Sequence, residues 1–170
     1  MALSKIPTDL VSGTLASSQL PAGSVLQSIR TYIPESEIEV ASTSFVEAST
    51  ACRVAITPKR TGSLIYVDMN CTMVHGTETS SYLRSKMYVK VGAGSFGAMP
   101  TYNGNTPGNY HVGYSWDGNI YGPFAFGGVY EHSSTSDELI FSPFVSTNGN
   151  NGRFTYPGSS YSITVTEVAQ

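Results

Sequence analysis

The sequence predicts an all-β fold: a single antiparallel β-sandwich, jelly-roll-like, with an extended N-terminal arm. Three observations lead there. From Ser24 onward, apolar and polar residues alternate with period 2. Turn-forming Gly, Asn, Asp and Pro interrupt the alternation often enough to leave about ten short strands, the spacing of a sandwich or jelly roll. No stretch of helix length keeps a 3.6-residue period. At 170 residues the chain suffices for one domain, which would bury roughly 70% of its unfolded surface.

The arm comes first. Residues 1–20 contain Pro7, Gly13 and scattered Leu10, Val11, Leu15 and Leu20 among Ser and Thr, with no period. Those four apolar residues are the expected attachment points, docking into grooves of a partner; a disordered terminus is the plainer reading of such a segment. At Leu20-Pro21-Ala22-Gly23-Ser24 the chain should turn sharply, because Pro fixes φ and lacks a donor while Gly accepts angles other residues resist. The division is therefore an attachment arm over 1–23 and a sandwich over 24–170.

Strands are expected at Val25–Ile33, Thr43–Val46 and Arg53–Thr57. The clearest alternation runs from Ser63 to Val74, with Ile65, Val67, Met69, Cys71 and Met73 on one face and Tyr66, Asp68, Asn70 and Thr72 on the other. The next run repeats it, with Leu83, Met87, Val89 and Val91 inward and Arg84, Lys86, Tyr88 and Lys90 outward. Joined through the turn-like residues Gly76–Ser80, the two read as a meander or hairpin with one wet face. Further strands are expected at Tyr110–Trp116, Asn119–Phe126, Val129–His132, Glu138–Val145 and Tyr161–Val168. Asp117-Gly118 between aromatic flanks signals a type I′ hairpin, and Asn103–Asn105 and Asn148–Gly152 read as exposed loop tips.

Composition narrows the function. Only 12% of residues are charged, against an ordinary value of about 25%. Polar surface is made instead from hydroxyls and amides, Ser and Thr supplying about a quarter of the chain. Such a surface suits packing against other copies, since burying a hydroxyl costs less than burying a charge. The net charge of −3 and the lack of any basic cluster beyond Lys59-Arg60 argue against a nucleic-acid partner. Neither a secretory signal nor a membrane-spanning run is visible, so no membrane insertion is expected. Cys52 and Cys71 read as small buried hydrophobes; their spacing suits no zinc site and leaves a disulfide between them open.

Motifs for chemistry are weak. Gly92-Ala93-Gly94-Ser95-Phe96-Gly97 fits G-x-G-x-x-G, but Met99-Pro100 and a Gly/Asn loop follow where a dinucleotide site needs a helix. A bulge or tight corner is expected there. Ser95 lacks the nucleophile-elbow pattern, and His75, His111 and His132 lie apart in sequence. Glu35, Glu37 and Glu39 alternate on one face of a turn or edge strand, where they read as edge charges that block sheet-to-sheet pairing. Asn70-Cys71-Thr72 fits a glycosylation acceptor by chance. No catalytic residue, metal or cofactor is expected. The feature that carries a functional expectation is the aromatic region from Tyr102 to Tyr130. Tyr102, Tyr110, Tyr114, Trp116 and Tyr121, among Gly and Asn, fit a core, a subunit interface or a glycan platform.

Leu20-Pro21-Ala22-Gly23-Ser24-Val25-Leu26-Gln27 resembles the entry segment of a group of bacteriophage virion structural proteins. These are tail-fibre-like or capsid-decoration proteins, frequent in phages of marine and freshwater bacteria, cyanophages among them. Ile56-Thr57-Pro58 with Ser63–Val67, and the close Ser160–Ala169, are similar to that group's spacing. The resemblance implies a jelly-roll-like domain, a homotrimer and a place on the virion, assembled in the bacterial host's cytoplasm. Partners would be further copies of the chain and the major capsid protein or another fibre protein. The resulting expectation is a capsid decoration (cement) protein or short head fibre. The alternative is a receptor-binding tip recognising a host cell-surface glycan, and a glycan-cleaving depolymerase is third.

Overall fold

The computed structural model describes residues 16–33, 38–74, 82–99, 110–114, 121–155 and 161–170, with the backbone alone at 71–74, 82, 110–114, 121–124 and 126. Its strands are β1 (Val25–Ile33), β2 (Ile38–Val40), β3 (Val46–Glu47), β4 (Val54–Ile56), β5 (Leu64–Val74) and β6 (Tyr82–Val91). They continue as β7 (Gly97–Ala98), β8 (Tyr110–Tyr114), β9 (Tyr121–Glu131), β10 (Leu139–Thr147), β11 (Gly152–Thr155) and β12 (Tyr161–Val168). Among the described residues all pairings are antiparallel, and they form two sheets of six strands each.

In the first sheet β5 is central. It pairs β9 along one side, and β12 and β11 in succession along the other. Beyond these lie β1 against β12 and β2 against β11. In the second sheet β10 pairs β6 on one side and β4 and β3 on the other. Strands β7 and β8 extend the far edge of β6. Each sheet is thus four positions wide, with several positions filled by two short strands end to end.

The alternation dictates the core. Ile65, Val67, Met69, Ile163 and Val165 project from the first sheet; Leu83, Met87, Val89, Phe141 and Val145 from the second; all are buried. Tyr66, Asp68 and Asn70 are exposed on the other side of β5, as the period requires. Cys52 is a buried free thiol in a short 3₁₀ turn over Thr50–Cys52. The pairing of Cys71 lies outside the described side chains.

Several expectations about the strands are corrected. The β5–β6 pair is no hairpin: β5 belongs to the first sheet and β6 to the second. Likewise the strands flanking Asp117-Gly118 part company, β8 joining β6 and β9 joining β5, while residues 115–120 lie outside the description. Alternation fixes which side of a strand meets the core; it does not say whether the next strand lies beside it or across from it. The runs Asn119–Phe126 and Val129–His132 merge into β9, which passes through Gly127-Gly128 without a break because β5 pairs with it throughout. The strand expected at Thr43–Val46 shrinks to Val46–Glu47, and Ile38–Val40, in the region read as a turn or edge strand, forms a short strand at the edge of the first sheet. Val91, expected inward, is 40% exposed at the end of β6, and Gly152, expected at a loop tip, is buried in β11. The expected tip Asn103–Asn105 lies outside the described residues.

Candidate functional site: the arm root and an aromatic face

Glu167 organises one end of the sandwich. It follows Ile163 and Val165 on the inward face of β12, so the strand's own period carries a carboxylate into the interior, where it is fully buried. Its oxygens accept from Lys59 N (2.9 Å), Arg60 N (3.0 Å), Ser63 Oγ (2.6 Å) and Gln27 Nε2 (2.7 Å). A bulge between Val25 and Gln27 sets Gln27 opposite Glu167. Burial pushes this carboxyl up, but the hydrogen bonds from Ser63, Lys59 N, Gln27 and Arg60 N outweigh it and hold it below its ordinary 4.5.

The same residues fasten the arm. Gly23 N donates to the Ala169 carbonyl (2.8 Å) and Ala169 N to the Ser24 carbonyl (2.9 Å), so the hinge is stitched to the end of β12. Gly23 has φ +85°, the left-handed conformation that the Pro21–Gly23 turn requires. Arg60, whose backbone holds Glu167, donates from Nη1 to the Leu20 carbonyl (3.0 Å). Ser17 Oγ, in the 3₁₀ turn Ser17–Gln19, donates to the Lys59 carbonyl (3.0 Å).

Ser63, His132 and Glu167 invite comparison with a nucleophilic triad, but their order is different. In a triad the imidazole stands between hydroxyl and carboxylate. Here the fully buried Ser63 hydroxyl stands between Glu167 and His132 Nε2 (2.8 Å). His132 Nδ1 donates to the Ser134 carbonyl (2.8 Å). The arrangement pins the β9–β10 connection to the connection before β5. Beside it is a cleft of about 320 Å³ lined by Val91, Tyr130, His132, Ser134 and Leu139, with Glu131 and Asp137 exposed at its rim. Among the described residues no three His, Cys, Asp or Glu side chains are grouped to hold a metal.

A second feature lies on the outer face of the second sheet. Tyr88 and Phe144 stack at 4.0 Å and 18°; Phe96 packs against Phe144 at 5.4 Å and Phe45 near Tyr88 at 6.5 Å. Cations cap both ends of this four-ring ladder, Lys86 Nζ 4.9 Å from the Phe45 ring and Arg53 Cζ 5.2 Å from the Phe96 ring. Beneath it Glu47 takes two hydrogen bonds from Arg53 (2.7 and 2.8 Å) and one from Ser142 (2.8 Å). The Arg53 hydrogen bonds hold its carboxyl low against the opposing effect of burial.

Of the residues expected to act, Leu10, Val11, Leu15, Tyr102 and Trp116 lie outside the described residues. Leu20 is half-buried at the arm root. Tyr110 and Tyr114 fall on β8 and Tyr121 on β9, the outermost strands of different sheets, so their backbones do not form one continuous sheet platform. His111 is on β8, Glu39 on β2 is ion-paired to Arg153 (3.3 Å), and the Gly92–Gly94 segment is a tight turn closed by Gly94 N to the Val91 carbonyl. The Glu167 hub and the ring ladder were not anticipated. A carboxylate on the apolar phase of an alternating strand was the available signal for the first. The second draws on four separated segments and has no local signature.

No protein-family model matches the chain, and no curated protein matches it significantly.

Proposed function

We propose that the protein is a non-enzymatic bacteriophage virion surface protein, a capsid decoration protein or short head fibre held by its N-terminal arm. The observation that carries this reading is the root of the arm. The Leu20–Ser24 hinge is bonded to the last strand and, through Arg60, to the Glu167 hub. Tension on the arm would pass through those bonds into β1 and β12, which pair over almost their whole length. A floppy tether needs no such root.

The wiring of the sheets supports a jelly roll. Counting end-to-end strands as one gives eight runs in chain order. The first sheet then reads 1-8-3-6 and the second 2-7-4-5, the interleaving of two Greek keys. Together with the resemblance of the hinge segment to phage virion proteins, this favours a homotrimer. Its three arms would engage the major capsid protein or a fibre protein, multiplying weak contacts by avidity.

Removing residues 1–20 tests the reading. The truncated protein should stay folded and self-associated but fail to co-sediment with particles that bind the full chain. Undiminished binding would sink it. A receptor-binding tip is the second reading, favoured by β8 and β9 touching at one lateral edge, where Tyr110, Tyr114 and Tyr121 begin and end strands. Loss of host adsorption on Tyr121→Ala, with particle binding intact, would favour the tip.

A further inference from the structure

The ring ladder is built differently from a simple hydrophobic cover. Tyr88 and Phe144 turn their faces to each other, Phe45 and Phe96 close the outer ends, and Lys86 and Arg53 occupy the faces of those two rings. Aromatic faces are electronegative and edges electropositive. With faces paired or capped by cations, the rim left toward solvent is the positive one.

The charges agree. Arg53, Arg84, Lys86 and Lys90 all lie on this face, on a chain whose formal charge is −3. Of the nearby carboxylates, Glu47 is bound by Arg53 and Ser142, and Glu138 stands beyond Lys90, before the start of β10. Lys86, Tyr88 and Lys90 share the outward side of β6, which puts the two lysines about 13 Å apart with a ring between them.

We infer that this face binds an anionic polysaccharide laid along β6, its carboxylates meeting Lys86 and Lys90 and its hydroxyl and ring oxygens meeting the electropositive rim of Tyr88 and Phe144. A polymer that carries a carboxylate and several acceptor oxygens in every repeat matches a row of cation, electropositive rim and cation. A single-stranded nucleic acid suits it less, because bases stack on free aromatic faces, and these faces are taken. The site is separate from the arm root, so its failure leaves the attachment reading standing.

The test uses the full chain with four probes at equal concentration: polygalacturonate, neutral dextran, poly-L-glutamate and an oligo-dT strand. Expected is binding to polygalacturonate over all three others, weakening as salt screens the lysines. Lys86→Gln with Lys90→Gln should lower that affinity by about tenfold, the combined effect of losing two exposed ion pairs, with the thermal transition unmoved. Tyr88→Ala should lower it further; if that variant unfolds, the lysine pair and the salt dependence decide. No polygalacturonate binding, unchanged binding by the lysine variant, or tighter binding of dextran, poly-L-glutamate or oligo-dT would each overturn the proposal.

Discussion

Ser63 donates its hydroxyl hydrogen to Glu167 across 2.6 Å, and through that bond the last strand grips the connection that also holds the arm. Five further protein groups surround the pair: Lys59 N, Arg60 N, the Arg60 carbonyl, Gln27 Nε2 and His132. A buried donor deprived of its acceptor costs its desolvation in full. Glu167→Ala should therefore destabilise the protein by about 3 kcal/mol or more, since several donors lose their partner at once. Glu167→Gln should recover only part, because its amide presents N–H toward donors. Urea unfolding midpoints check both.

Acid should act through the same carboxylate. Glu167 is held below its ordinary 4.5 in the folded state, so it contributes stability above the unfolded value. That contribution is lost as pH falls through the lower folded value. Glu47 is also held low, first by its Arg53 hydrogen bonds, and adds in the same direction. Unfolding free energy should thus be flat near neutrality and fall below about pH 4.5, the unfolded pKa. The fall should be shallower in Glu167→Gln, and equal slopes in the two proteins would contradict this account.

The strands were legible because they are dictated locally. Val25–Ile33 and Tyr161–Val168 follow from alternation alone and appear with those bounds. Pairing was not legible, since β5 and β6 present the same pattern whether side by side or face to face. Glu39 marked the region of Ile38–Val40 as a turn or an edge, and β2 does lie at the edge; its match to Arg153 on the neighbouring β11 was not legible. At the arm root the turn chemistry was plain in Pro21 and Gly23. What it docks against was not, because Arg60 and Ala169 lie 40 and 146 residues from Leu20 and Gly23 respectively.

Gly152 marks a close approach in the core. A Cβ there would stand 2.7 Å from Thr147 Cγ2 and 3.0 Å from Leu83 Cδ1, and Thr147 and Leu83 are fully buried. Gly152→Ala should cost about 1–3 kcal/mol by overpacking. Thr147→Ser deletes the nearer methyl while keeping the hydroxyl that bonds the Ser42 carbonyl and Gly149 N. The double variant should accordingly be more stable than the two single losses added together, which a double-mutant cycle measures.

Cys52 should be chemically silent. Burial, reinforced by the negative charge of Glu47, pushes its thiol up to about 12. Thiolate is the reactive form, so almost none exists at pH 8. Iodoacetamide should leave the peptide containing Cys52 unmodified in the native protein and label it fully in denaturant. Rapid native labelling would show that the 3₁₀ turn over Thr50–Cys52 opens readily.

Arg60 offers a way to loosen the arm while leaving the sandwich folded. Its side chain reaches the Leu20 carbonyl, whereas its backbone N–H alone serves Glu167. Arg60→Ala therefore removes the clasp and leaves the hub with all its donors. Global stability should change by about 1 kcal/mol or less, the value of one hydrogen bond at a partly exposed site. The hinge itself should open more often, because among the described residues the Gly23–Ala169 and Ser24–Ala169 bonds and the Ser17–Lys59 contact are what would still hold it. Amide exchange at Gly23 reports that opening directly, and limited proteolysis between Ala16 and Ser24 reports it by cleavage rate. Faster exchange with an unmoved melting transition is the expected pair of results. A drop in both together would mean that root and sandwich unfold as one unit, and that Arg60 contributes to the fold as a whole.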